Sequence, residues 1–156
     1  MDTTIIGIDP GANGAISFTR GNRLYVDKCH PNITGRATSV STAMSAFNNK
    51  KCIAYIEKVH AMPHDGRSSL FKFGVNYGVW LGILASKGIE TIEVSPQKWM
   101  KFWEKQNNFK LPKEKKDRKN ALKDIASIFI QPEKATLWSA DSILITMYGR
   151  HQEKGE

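Results

Sequence analysis

The sequence predicts an α/β fold, and three observations carry that prediction. Short runs dense in β-branched residues, such as Ile5-Ile6-Gly7-Ile8 and Cys52-Ile53-Ala54-Tyr55-Ile56, read as buried strands. Longer stretches with apolar residues at helical spacing lie between and after them. The length of 156 residues, 40% hydrophobic and 24% charged, suits one domain with a proper core.

Taken in order, Ile5, Ile6 and Ile8 form the first strand, and Pro10, Gly11, Asn13 and Gly14 supply turn chemistry. Ala15-Ile16-Ser17-Phe18 resumes a strand pattern and closes a hairpin. Arg20-Gly21-Asn22-Arg23 is a tight turn into a third strand at Leu24-Tyr25-Val26. A loop over 30–35 leads to a helix over 38–47, where Val40, Met44 and Phe47 are helically spaced. The strand over 52–57 follows. After a loop over 58–67, Ser68 or Ser69 can cap the longest helix, 70–86, with a stripe of Leu70, Phe73, Tyr77, Leu81 and Leu84. Gly74, Gly78 and Gly82 recur on it every fourth residue. Glycine costs about 1 kcal/mol inside a helix, so the row suggests close backbone packing against the sheet or another subunit. A half-exposed strand covers 89–94, and Ser95-Pro96 starts a short helix over 97–103. A helix over 113–130 presents Ala121, Leu122, Ile125, Ile128 and Phe129. Gln131-Pro132 breaks the chain before a last helix over 136–149. One domain over 1–150 with a polar, frayed tail over 151–156 is expected.

Two of the buried-type strands end in an acid. Asp9 follows the first and Glu57 closes the fourth, and a carboxylate at the end of an apolar strand is expensive unless paired or bound to a metal. Asp141, in the first turns of the last helix, is a third candidate if that helix packs on the sheet with its start at the strand ends. An acid near a helix start also has an ordinary dipole explanation. Three convergent carboxylates suit hard divalent cations such as magnesium. Two such ions can activate a water and stabilise the leaving oxygen in phosphodiester cleavage, with no serine, cysteine or histidine nucleophile.

The net charge of +8 suggests a polyanionic partner. It is concentrated over 101–123, where nine lysines and arginines face three acids. Such a run is either a solvated helix face or a salt-sensitive phosphate contact. Cys29 and Cys52 lack zinc spacing and read as reduced thiols. No apolar run reaches about 18 residues and Met1-Asp2-Thr3-Thr4 carries no signal pattern, so a cytoplasmic location is expected.

Taken together, these segments resemble the RuvC-type Holliday-junction resolvases of the ribonuclease-H-like superfamily. The residues that carry the resemblance are Gly7-Ile8-Asp9-Pro10-Gly11, Tyr55-Ile56-Glu57-Lys58-Val59 and Ala140-Asp141-Ser142-Ile143-Leu144-Ile145. Phe73-Gly74-Val75-Asn76-Tyr77-Gly78 and Val94-Ser95-Pro96-Gln97-Lys98-Trp99 add to it. Order and approximate spacing match over nearly the whole chain. Each motif is short, and the specificity comes from their succession on the expected elements.

The resemblance implies a mixed five-stranded sheet flanked by helices on both faces, and a compact member of bacterial or bacteriophage origin. It implies a homodimer cutting opposing strands of a four-way DNA junction symmetrically, with Mg2+ or Mn2+ as cofactor and two ions per site. Asp9, Glu57 and Asp141 become the catalytic metal ligands. Met62, in the loop matching the family's junction-probing loop, Arg67, and the basic helix start with Lys113, Lys115, Lys116, Arg118 and Lys119 become DNA-binding residues. The chain departs from the family three residues before the last acid, where Trp138 stands in place of a fourth ligand. Ser139, Thr136, Glu133, His151, Asp124 and Asp117 are the nearby alternatives. A broader nuclease of flaps, forks or three-way junctions, and a non-catalytic DNA-binding relative, remain open. An actin-like kinase or ATPase shares the Gly-Ile-Asp-x-Gly turn but needs two such lobes, which this length does not supply.

Overall fold

The computed structural model describes residues 3–45, 51–58 and 66–155. Five strands form one sheet: β1 (Thr4–Ile8), β2 (Ala15–Arg20), β3 (Arg23–Lys28), β4 (Cys52–Glu57) and β5 (Glu90–Val94). The spatial order is β3-β2-β1-β4-β5. The β1–β2 and β2–β3 pairs are antiparallel, whereas β1–β4 and β4–β5 are parallel. Five helices complete the chain: α1 (Ile33–Ser45), α2 (Arg67–Ser86), α3 (Pro96–Gln106), α4 (Lys115–Ser127) and α5 (Ala140–Lys154).

Side-chain alternation along the central strands explains the layering. Ile5, Ile53 and Tyr55 join one core cluster with Trp99 and Trp103 of α3, Leu122 and Ile125 of α4, and Ile143, Leu144 and Tyr148 of α5. Ile6, Ile8, Ala54 and Ile56 join the other with Val40 of α1 and Trp80, Ile83 and Leu84 of α2. The mixed sheet thus carries α3, α4 and α5 on one face and α1 and α2 on the other. β1 and β4 are buried on both faces, which is why they read as continuous apolar runs.

Helix α5 lies directly on β1. A Cβ added to Gly7 would stand 2.6 Å from the Ser142 carbonyl oxygen, and one added to Gly149 would stand 2.5 Å from the Tyr55 ring. No side chain fits at either contact. The buried Ser17 and Thr146 hydroxyls, 2.5 Å apart, join α5 to β2 beside it.

Several elements differ from expectation. Helix α1 starts earlier, at Ile33, and α2 starts at Arg67 with Gly66 as its N-cap residue and no side-chain cap. The buried face of α2 centres on Trp80, Ile83 and Leu84, while Phe73 in the expected stripe is 38% exposed. Gly74, Gly78 and Gly82 meet nothing within 4 Å, so they do not pack against the sheet. Gly88, at φ 65°, ends α2 with the Ile89 N–H bonded to Leu84, a left-handed cap that glycine adopts freely. Ile128, expected on the apolar face of α4, is exposed. Residues 151–154, expected as a frayed tail, continue α5, and His151 packs against the rings of Phe102 and Trp103. Both cysteines are free thiols. Among the described residues no helix is long and apolar enough to cross a membrane.

Candidate active site

The parallel register places two of the acids side by side. Ile8 of β1 pairs with Ile56 of β4, and Asp9 and Glu57 are the next residues of the two chains. By strand alternation, Glu57 follows Ile53 and Tyr55 onto the α5 face. Helix α5 runs against β1: Ser142 lies over Gly7, at the end of the strand, and Gly149 over Ile5 farther back. Its N-terminus, with Asp141 in the first turn, therefore sits at the carboxyl ends of the strands.

The three acids lie within one another's electrostatic field. Burial and then the charges of Asp9 and Asp141 push Glu57 up to about 8, against an ordinary 4.5. Burial and then Asp9 push Asp141 up to about 6. Burial also raises Asp9, with the Gly11 N–H and the Lys119 ammonium opposing it. Lys119 of α4 lowers all three acids, and Arg118 lowers Asp141 as well.

Two acids are engaged by neutral donors. The Gly11 N–H donates to Asp9 Oδ1 at 3.0 Å, and the Trp99 indole N–H donates to Glu57 Oε2 at 2.9 Å. Trp99 reaches Glu57 because Ser95 caps α3, accepting from the Lys98 N–H, and starts the helix at the end of β5. Around Asp9, Gly14 comes so close that an added Cβ would stand 2.7 Å from Asp9 Cγ. The Cys29 thiol, raised to about 12 chiefly by burial, donates to the Asp9 carbonyl at 3.4 Å. The Asn76 side-chain amide donates to the Pro10 carbonyl.

The donor set is of the right chemical type for a hard divalent cation: three carboxylates in one another's field, none in an ion pair among the described residues. The set is not drawn together, however. Among the described residues no group of three acid, histidine or cysteine side chains is arranged to hold a metal ion. That also bears on the alternatives to the missing fourth ligand. Ser139 and Thr136 hydrogen-bond to each other at 3.0 Å, and Asp124 is exposed beside Lys123. Glu133 and Asp117 are exposed, and Trp138 is part-exposed.

Of the basic residues, Lys113, Lys115 and Lys116 are exposed around the start of α4, and Arg67 is exposed at the start of α2. Arg118 folds back, donating from Nη1 to the Lys113 carbonyl at 2.8 Å, so it also holds the loop before α4. Met62 lies outside the described residues. Sequence reasoning named Lys119 only as one of a group, and it missed the support given by Trp99 and Asn76, which depends on contacts distant in sequence.

The architecture is α/β, a mixed five-stranded sheet with helices on both faces. No family model matches the chain, and no curated protein matches it. Among solved structures it is similar to Thermus thermophilus RuvC in complex with a Holliday junction substrate, with a TM-score of 0.64 and 14% identity over 98% of this chain and 96% of that one. A second structure of Thermus thermophilus RuvC gives a TM-score of 0.59 and 13% identity over 97% and 96%. The chain therefore has the RuvC fold from end to end.

Proposed function

We propose that the protein is a metal-dependent endonuclease that resolves four-way DNA junctions by phosphodiester hydrolysis. The observation that carries this reading is the placement of Asp9 and Glu57 at the ends of adjacent parallel strands, with Asp141 in the first turn of the helix that starts there. The fold shared with a protein solved on a Holliday junction supports it further.

In this reading Asp9, Glu57 and Asp141 hold Mg2+ or Mn2+, two ions per site. Bound there, the metal supplies an activated water and neutralises charge at the scissile phosphate. The chain's own residues do the rest. Trp99 orients the Glu57 carboxylate, and Gly11 orients Asp9. Lys119, whose charge acts on all three acids, would face the scissile phosphate. Lys113, Lys115, Lys116 and Arg67 steer and hold the DNA backbone, and Met62 wedges at the junction. The open glycine row of α2, flanked by exposed Phe71 and Val75, is the face on which a second copy pairs to give the homodimer. A broader nuclease of flaps, forks and three-way junctions is the alternative reading within the same chemistry.

The test is nicking of a synthetic four-way junction with and without Mg2+. Paired, symmetric nicks that require the metal support the reading. A junction bound but left intact under Mg2+ and Mn2+ overturns it and favours a DNA-binding relative that has lost catalysis.

A further inference from the structure

The turn after β1 contains one peptide plane gripped at both ends. Its oxygen, the Pro10 carbonyl, accepts from the Asn76 side-chain amide of α2. Its N–H, on Gly11, donates to Asp9 Oδ1 at 3.0 Å. A peptide unit is rigid, so fixing the carbonyl fixes the direction of the N–H across the same plane. A hydrogen bond at one end also polarises the unit and strengthens the bond at the other. We infer that Asn76 is a positioning residue for Asp9, acting through the Pro10–Gly11 peptide.

Among the described residues, the other hydrogen bonds of the turn do not hold this plane. Pro10 has no N–H to donate. The Gly11 carbonyl accepts from the Gly14 N–H at 2.9 Å and the Asp9 N–H donates to Ala15 at 3.0 Å, which close the turn but do not touch the plane between Pro10 and Gly11. Asn76 approaches from α2, on the sheet face opposite α5. A residue from the helix layer that contributes no acid therefore sets the carboxylate rotamer of the first acid. Groups that orient a metal ligand in this way are typically worth about 10–100-fold in metal affinity or activity.

The inference rests on the nuclease reading for its consequence, though not for its geometry, and the two are tested apart. The variants are Asn76→Leu, which removes the donor at similar volume, and Asn76→Gln, which returns an amide. The probes are the Gly11 amide, followed by its 15N shift and hydrogen exchange, and Mn2+ binding followed by calorimetry. In Asn76→Leu the Gly11 amide should shift and exchange at least about tenfold faster. Mn2+ affinity should fall about 10–100-fold, junction binding should hold, and cleavage should recover as Mn2+ is raised. Partial return of both signals in Asn76→Gln supports the assignment. A Gly11 amide and Mn2+ affinity unchanged in Asn76→Leu overturn it, as does a fall in thermal stability with affinity intact. No Mn2+ binding by the wild-type protein overturns the nuclease reading and the functional half of this one, while the Gly11 amide still decides whether the tie holds Asp9.

Discussion

The indole N–H of Trp99 and the carboxylate of Glu57 meet at 2.9 Å across 42 residues of sequence. Trp99 is 1% exposed, so its N–H has no water to fall back on, and Glu57 receives a directed donor at the end of an otherwise apolar strand. Trp99→Phe keeps most of the packing and removes the donor. The expected result is a loss of about 1–3 kcal/mol in stability and about 10–100-fold in metal affinity, read by urea unfolding and Mn2+ titration. Unchanged affinity would show that Glu57 needs no orienting partner.

Asp9→Asn removes one ligand charge with almost no change of shape. Cleavage of a four-way junction should fall by at least about 100-fold, more than the loss expected from a merely orienting group. Junction binding by gel shift should persist. Because the substitution removes one of the like charges, Glu57 should titrate at lower pH in the variant.

The pH response follows from the raised acids. Glu57 titrates at about 8 in the folded protein against 4.5 ordinarily, and Asp141 at about 6 against 3.8. Between those values the metal-free native state holds protons that the unfolded chain has released. Their contribution to stability is therefore full below about pH 4 and lost progressively up to about pH 8. Urea midpoints of metal-free protein at pH 5.5, 7 and 8.5 should decline accordingly, and Glu57→Gln should flatten the decline. Mn2+ affinity should rise over the same range, with proton release on binding. A midpoint that climbs from pH 5.5 to 8.5 in the wild type, and equally in Glu57→Gln, counts against the coupled cluster.

Glycines on the two faces should respond oppositely to alanine. Gly7→Ala drives a methyl into the backbone of α5 at Ser142 and Thr146, and should destabilise by about 3 kcal/mol or prevent folding. Gly78→Ala meets open space in a helix interior and should stabilise the monomer by up to about 1 kcal/mol. If a second copy docks on α2, the same change should weaken the dimer in sedimentation experiments, and an unaltered dimer would place the interface elsewhere.

Much of this was legible in the chain because local signals and burial agree. The bounds of β4 match the apolar run Cys52–Glu57 because that strand is covered on both faces. The register and strand alternation that gather Asp9 and Glu57 follow from two such runs being neighbours. The buried side of α2 was legible in part: Tyr77, Leu81 and Leu84 of the stripe pack on the core, whereas Trp80 and Ile83 lay outside the stripe and Phe73 is exposed. The end of α5 was misread because its polar residues mask support from packing: His151 on Phe102, and Glu153 accepting from the Tyr55 hydroxyl at 2.8 Å. Trp99 to Glu57 and Asn76 to Pro10 are pairings between remote segments, and nothing in residue spacing announces them.

Parity along β1 and β4 has an evolutionary consequence. Inserting or deleting a single residue ahead of Glu57 within β4 would turn its carboxylate toward α1 and α2, away from Asp141. Substitutions that respect the close contacts at Gly7 and Gly149 leave this geometry in place, but frame slips of one do not. The fold is thus free in spelling and strict in meter, and two chains only 14% identical can share it over nearly their whole lengths.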